Sequence, residues 1–362
     1  MNETENKTAE RNQQAQIRQK KASKKGCLIV FLVGAAVILC CFFFFIFLII
    51  TLLFSSDISL SNAIGSNTLL RQMYISGRKD SSNKIALIPI NGVILDNDSS
   101  WGNIVKMKTI RAQLKEAMRD EKIKAVLLYI NSPGGEITAT DIIHHNIEKV
   151  KQRKPVVALL GTIAASGGYY AAVAADYIIA NRLTITGSIG VIINNYNYYN
   201  LLQKIGVQDE VYKSKEMKDI LNPARPRTKA EKIIIQSLIN ESYNEFVKVV
   251  SGGRSDKNEK LTINYIKNSN IGDGRIFSGS QALKLGLIDQ LGYFDDAVKK
   301  TATLAHLKKN DYQLISFQKQ LSFSDIIQKF AAKAHTVTVE VPAIAQLNML
   351  DPGKLYYLYR EM

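Results

Sequence analysis

The chain has 362 residues, 46% of them hydrophobic and 22% charged, with a formal net charge of +15. That balance excludes a largely disordered or collagen-like chain. The hydrophobicity is unevenly spread, because Cys27 to Phe54 runs 28 residues without a charge. As a helix this is roughly 42 Å, against the ~30 Å of a bilayer core, so the sequence also argues against a purely soluble protein.

Residues 1–26 are polar and carry Lys7, Arg11, Arg18, Lys20, Lys21, Lys24 and Lys25, which predicts a disordered basic tail. The apolar segment 27–54 is longer than the ~7–15 residues of a cleaved secretory signal and ends in Leu53-Phe54 rather than at a small-residue cleavage site. It is predicted to be a retained signal-anchor helix. No basic residue follows it until Arg71, so the amino-terminus is expected in the cytoplasm and everything after about residue 55 outside. All three cysteines, Cys27, Cys40 and Cys41, lie in this segment, which leaves the outer part without a disulfide.

The outer part carries +11. This fits either attraction to anionic headgroups and cell-surface polymers or a lysine-rich soluble surface. No zinc-ligand spacing and no nucleic-acid motif is present, so neither a metal or other cofactor nor a nucleic-acid partner is expected.

Residues 55–83 read as a linker. From Lys84 strand and helix periods alternate. Ile85–Leu95 reads as strand with a bend at Asn91-Gly92, Ile104–Met118 as helix and Lys122–Ile130 as strand. Helix follows over Ala139–Gln152, strand over Val156–Leu160, a short apolar helix after Ser166, and strand over Tyr177–Ala180. Helix Lys229–Val249 and segment Ser278–Lys300 continue the pattern, punctuated by Gly286 and Gly292. Alternation of this kind predicts an α/β fold with a mainly parallel, covered sheet.

Three glycine-bearing loops follow strand-like segments, where α/β folds place ligands. Asn131-Ser132-Pro133-Gly134-Gly135 can leave amide N–H groups free to face an oxyanion. Ser166, in Ala164-Ala165-Ser166-Gly167-Gly168-Tyr169-Tyr170, is framed by small residues that let a substrate backbone approach its hydroxyl. Ala164 departs from the G-x-S-x-G pattern of α/β-hydrolases. Thr186-Gly187-Ser188-Ile189-Gly190-Val191 is the third loop. Of the histidines, adjacent His144 and His145 read as surface residues on a helix, and His306 and His335 fall in the peripheral end of the chain. A Ser-His-Asp triad therefore has no attractive candidate. Lysine is an alternative activator of serine, and Val211–Ile220 offers Lys213, Lys215 and Lys218, among which composition cannot choose.

The ordered set NSPGG, ASGGYY, TGSIGV and K-S-x-x-x-K-D resembles the signal peptide peptidase A family, over roughly Ile85 to Tyr293. The resemblance implies a membrane-anchored Ser-Lys serine protease on the Clp/crotonase-like fold of repeated ββα units. By it Ser166 matches the nucleophile, Lys218 the general base, Ser188 a serine that helps position the lysine, and Gly134 and Gly167 backbone oxyanion donors. Lys215 stands where the family segment usually has glycine, so Lys213 and Lys215 are kept as weaker base candidates. The absence of histidine between Ser166 and Ala305 excludes a Clp-type triad.

The resemblance further implies a homo-oligomeric ring acting on peptide substrates, signal peptide remnants among them, at the outer membrane face. The domain organisation expected is tail 1–26, membrane helix 27–54, linker 55–83, protease domain 84–310 and extension 311–362. In the extension, Val341–Gln346 contains an A-x-A pattern and LYYLYREM ends the chain; this tail is expected to occupy an active-site groove or to be clipped near Ala345. Two other classes compete: a catalytically silent membrane scaffold, and a crotonase-like acyl-CoA enzyme, for which an outer domain has no evident CoA supply.

Overall fold

The computed structural model describes residues 38–47, 70–96, 104–319 and the backbone of 355–358. The chain divides into two units, Met1–Asn67 and Thr68–Met362. In the first, residues 38–47 are helical, with Phe42 to Phe45 exposed. Among the described residues no helix is long and apolar enough to cross a membrane, and the remainder of the predicted span 27–54 lies outside them.

The second unit opens with strands β1 (Leu70–Gly77), β2 (Lys84–Asn91), β3 (Val93–Leu95) and β4 (Ile104–Lys106). Helix α1 (Met107–Arg119), β5 (Ile123–Ser132), β6 (Gly134–Glu136), α2 (Ile137–Lys151), β7 (Val156–Ala165) and α3 (Gly167–Val173) follow. Then come β8 (Tyr177–Ala180), β9 (Ile185–Gly187), β10 (Ile192–Ile193) and α4 (Tyr199–Ile205). After a 3₁₀ turn at Glu216–Asp219 the chain forms α5 (Lys229–Arg254), α6 (Ile263–Asn268), β11 (Ile276–Ser278) and α7 (Gly279–Leu285). It closes with β12 (Gln290–Leu291), α8 (Phe294–Leu304), β13 (Gln313–Lys319) and β14 (Leu355–Leu358).

Among the described residues nine strands form the main sheet, in the path β1-β13-β2-β5-β7-β8-β12 with β9 beside the end of β7 and β11 beside β9. All pairs from β13 to β12 are parallel, as is β7–β9; β1–β13 and β9–β11 are antiparallel. The mainly parallel α/β architecture read from the alternation is present. The reason is the two-residue period of buried strands: Ile88, Val126, Leu128, Val156 and Ala158 face the core under α1, α2, α3 and α5, while Ile85, Leu127, Val157 and Leu159 face a second core that includes Ala297 and Ala302 of α8.

The sheet reaches past both expected boundaries of the protease domain. β1 lies within the stretch read as linker, 55–83, and β13 lies beyond residue 310, inserted between β1 and β2. Neither strand has a nearby partner in sequence, which is why local pattern did not reveal them. Gly92, at φ 111°, breaks Ile85–Leu95 into two strands that belong to different sheets. The second sheet has the order β10-β14-β6-β3-β4.

Candidate active site

The central strand β7 extends beyond the stretch predicted for it and delivers Ser166 at its carboxyl end. Its first half pairs with β8 and its last three residues with β9. Ser166 is the residue between β7 and α3, has φ 53° and ψ −118°, and is 1% exposed. Positive φ in a non-glycine residue costs on the order of 1–3 kcal/mol and persists only where surrounding structure imposes it. Here the Ser166 N–H donates to Gly187 O at 2.8 Å, and its carbonyl accepts from Tyr170 N at 2.8 Å in the first turn of α3. The turn is strand to strained serine to helix, although the sequence lacks the flanking glycine two residues before the serine.

Two tyrosines anchor the helix behind the serine. Tyr169 donates its hydroxyl to Leu287 O at 2.8 Å, and Tyr170 donates to Asp141 Oδ1 at 2.8 Å. Burial pushes the Tyr169 phenol above its ordinary range, so it remains a donor. Glycine is required at 168, because a Cβ there would lie 2.5 Å from Ser132 O; only a bare backbone lets α3 approach the end of β5.

That approach joins two of the predicted loops, and Ser132 is paired in register with Ala164 of β7. Ser132 is fully buried, and its Oγ accepts the Gly134 N–H at 3.1 Å. Sequence reading singled out Gly134 and passed over Ser132; the small polar residue at the end of an apolar strand was the available signal. Gly167 begins α3, so its N–H has no acceptor within the helix. The third loop arrives through β9: Ala165 pairs with Gly187, and the next residue, Ser188, has φ 52° and is 8% exposed. Ser166, Ser188, Gly134 and Gly167 are thus gathered at the carboxyl ends of parallel strands.

Among the described residues no hydrogen bond joins Lys218 to Ser166. Lys218 lies in the exposed 3₁₀ turn, and among the described residues no hydrogen bond or ion pair engages its ammonium. Lys213 is engaged, donating to Asp219 Oδ1 at 2.7 Å and Glu216 O at 3.3 Å, which disfavours it as a base. Lys215 is exposed, and its carbonyl accepts the Lys218 N–H at 3.1 Å. The segment after the turn is strained at Leu221, φ 68°, and borders a cleft of about 500 Å³ lined by Asn195, Tyr196, Asp219 and Pro223.

Contrary to expectation, only one of the two adjacent histidines lies on the surface. His145 is exposed, but His144 is buried, its ring 5.0 Å from that of Tyr170. Burial lowers its pKa, opposed by the charges of Glu148 and Asp141. Residues 139, 143 and 147 of α2 also face inward, and the helical period carries His144 into that face.

The carboxy-terminal strand β14 lies against the site. Leu358, Tyr357 and Tyr356 pair antiparallel with Gly134, Gly135 and Glu136 of β6, and Tyr356 and Leu355 with Ile192 and Ile193 of β10. The A-x-A stretch at 343–345 lies outside the described residues.

A parallel α/β sheet whose central strand ends in a buried, strained serine, with glycine-rich backbone on either side, has the architecture of a serine hydrolase. Residues 148–308 match the model of peptidase family S49. A protein of Enterococcus faecium named "Putative signal peptide peptidase SppA" is 35% identical over 306 residues, 82% of this chain and 86% of that one. Protease 4 of Haemophilus influenzae is 35% identical over 63% of this chain but only 36% of its own length. The chloroplastic serine protease SPPA of Arabidopsis thaliana is 30% identical over 59% of this chain and 30% of its own. The chain belongs to peptidase family S49 and is a serine peptidase of the signal peptide peptidase A type.

Proposed function

We propose that the protein is a membrane-anchored serine endopeptidase with a Ser166–Lys218 dyad on a Clp/crotonase-like fold, cleaving released signal peptides and other hydrophobic peptides at the outer membrane face. The observation that carries this reading is β14. An extended segment lying antiparallel between β6 and β10, beside the loop that bears Ser132 and Gly134, takes the position of a peptide substrate bound by strand addition. In this reading the tail is a resident substrate mimic.

The neutral amine of Lys218 takes the proton from Ser166 Oγ as that oxygen attacks the scissile carbonyl. The Gly167 N–H, and the Gly134 N–H released from Ser132 Oγ, receive the oxyanion. Collapse breaks the peptide bond, the lysine proton passes to the leaving amine, and water then hydrolyses the acyl-serine with Lys218 again accepting a proton. Ser188 orients the amine without adding charge.

An exposed lysine needs a cover to hold its neutral form. Bound peptide is one cover, and a second copy of the chain is the other. The region around the lysine exposes Tyr196, Leu201, Ile205, Val207 and Tyr212, an apolar surface of the kind that marks an interface. That supports a homo-oligomeric ring.

The test is labelling of the purified full-length protein with a serine-reactive fluorophosphonate. Labelling lost in both Ser166→Ala and Lys218→Ala is the expected result; wild-type protein that folds but does not label would favour a silent scaffold.

A further inference from the structure

The residue after the proposed base is an aspartate, and a carboxylate close to a lysine favours its ammonium form. In this structure both Asp219 oxygens are taken by other cations. Arg225 Nε donates to Oδ2 at 2.8 Å and Arg225 Nη2 to Oδ1 at 2.8 Å, while Lys213 Nζ donates to Oδ1 at 2.7 Å. Arg225 Nη2 also donates to the Asp219 carbonyl at 3.2 Å. The same guanidinium reaches the amino-terminus of α5, where Nη1 donates to Glu231 Oε2 at 3.0 Å and Nη2 pairs with Oε1. Glu231 is nearly buried and closes a capping box with Thr228. The 3₁₀ turn is therefore clasped to a 26-residue helix through one arginine.

We propose that Arg225 is a positioning residue for the base, holding Asp219 away from Lys218 and fixing the turn that presents Lys218. This rests on the dyad reading above. Arginine suits the task because its planar fork engages two carboxylates at once. The charged groups on the stretch that carries Lys218 are Asp209, Glu210, Lys213, Lys215, Glu216 and Asp219, and the loop and helix clasped to it through Arg225 add Arg225, Arg227 and Glu231. Hydrogen bonds from Arg225 and Lys213 keep Asp219 far below the usual carboxylate range, and those from Arg225 hold Glu231 at about 2. Both remain anions at any pH where a lysine base works. Removing Arg225 therefore leaves Asp219 with Lys213 alone on Oδ1 and an unpaired Oδ2 on the residue next to Lys218, which favours the ammonium form.

The experiment is the pH dependence of fluorophosphonate acylation of the full-length protein, with folding checked by thermal unfolding. Rate rises with pH through the acidic limb as the base loses its proton. Arg225→Gln is expected to move that limb up by about one pH unit, a roughly tenfold loss at a pH below it. The double variant Arg225→Gln/Asp219→Asn returns the limb to the wild-type position or lower, and Arg225→Lys leaves it in place with a reduced plateau. A merely structural arginine would lower the plateau in all three without moving the limb, and an unmoved limb in Arg225→Gln, or a shift that persists in the double variant, overturns the proposal. If Arg225→Gln does not fold, Asp219→Asn alone decides. Its limb is expected to move to lower pH, because Arg225 and Lys213 lose their shared counter-ion and act on Lys218 as unpaired cations; an unmoved or raised limb overturns the proposal. Lys218→Ala is run alongside: full acylation there sinks the dyad reading, whereas a dead Lys218→Ala with an unmoved Arg225→Gln limb sinks only the role of Arg225.

Discussion

Ser166 and Ser188 stand side by side, each one residue past the paired Ala165 and Gly187, with φ of 53° and 52°. The Ser166 N–H donates to Gly187 O, and the Ser188 N–H to Arg275 O, both at 2.8 Å. Two serines at positive φ on adjacent strand ends, each fixed by a backbone hydrogen bond, have their Cα positions set by the sheet. Strain of this kind is sustained by the packing around it.

Strain at Ser166, the proposed nucleophile, sets a trade-off between stability and activity. Ser166→Gly is expected to raise the stability of the folded unit by about 1 kcal/mol over Ser166→Ala, because glycine tolerates positive φ while alanine keeps the cost. Both variants lose acylation. Urea unfolding midpoints that fall in the reverse order would contradict the strain assignment.

Close approach at Gly168 makes a second prediction. Alanine there drives a Cβ to 2.5 Å from a backbone oxygen that has no side-chain freedom to yield. Gly168→Ala should destabilise by about 1–3 kcal/mol and displace α3, with acylation reduced on the order of 10²-fold. A variant that unfolds at the wild-type urea concentration and labels at the wild-type rate would show that α3 and Ser132 are not in contact in solution.

His144 is expected to make the fold sensitive to acid. Its pKa is lowered in the folded state by burial, so between that value and the unfolded value of about 6.5 the unfolded chain binds more protons. The stability concerned is present above about pH 6.5 and is lost as pH falls through the folded value. Replacing the imidazole by the apolar ring in His144→Phe should flatten the dependence of the melting temperature on pH below 6.5. An equally steep loss in the variant would assign the acid sensitivity elsewhere.

Occupation of β6 by β14 predicts that the tail competes with substrate. Truncation after residue 350 should speed fluorophosphonate acylation at limiting probe several-fold, and a synthetic LYYLYREM peptide should slow the truncated protein again. Identical rates with and without the tail would place β14 outside the substrate path. Intact-mass comparison of wild type with Ser166→Ala separately tests clipping near Ala345, for which equal carboxy-termini are the negative result.

The sequence alone determined the alternating elements of the parallel sheet, because buried strands and amphipathic helices carry their periods locally. Val156–Leu160, Tyr177–Ala180 and the helix after Ser166 were legible for that reason, as were the glycine loops that bear Ser166, Ser188, Gly134 and Gly167. Tertiary structure decided what depends on residues far apart in the chain. Among the described residues β1 pairs with β13 and β13 with β2, both across most of the chain, the buried face of α2 claims His144, and Ser166 and Ser188 take positive φ where β7 and β9 run in register. Lys213, Lys215 and Lys218 were equivalent by composition. Asp219 separates Lys213 from the others, since a carboxylate holding two cations is a relationship in space that no spacing along the chain could disclose.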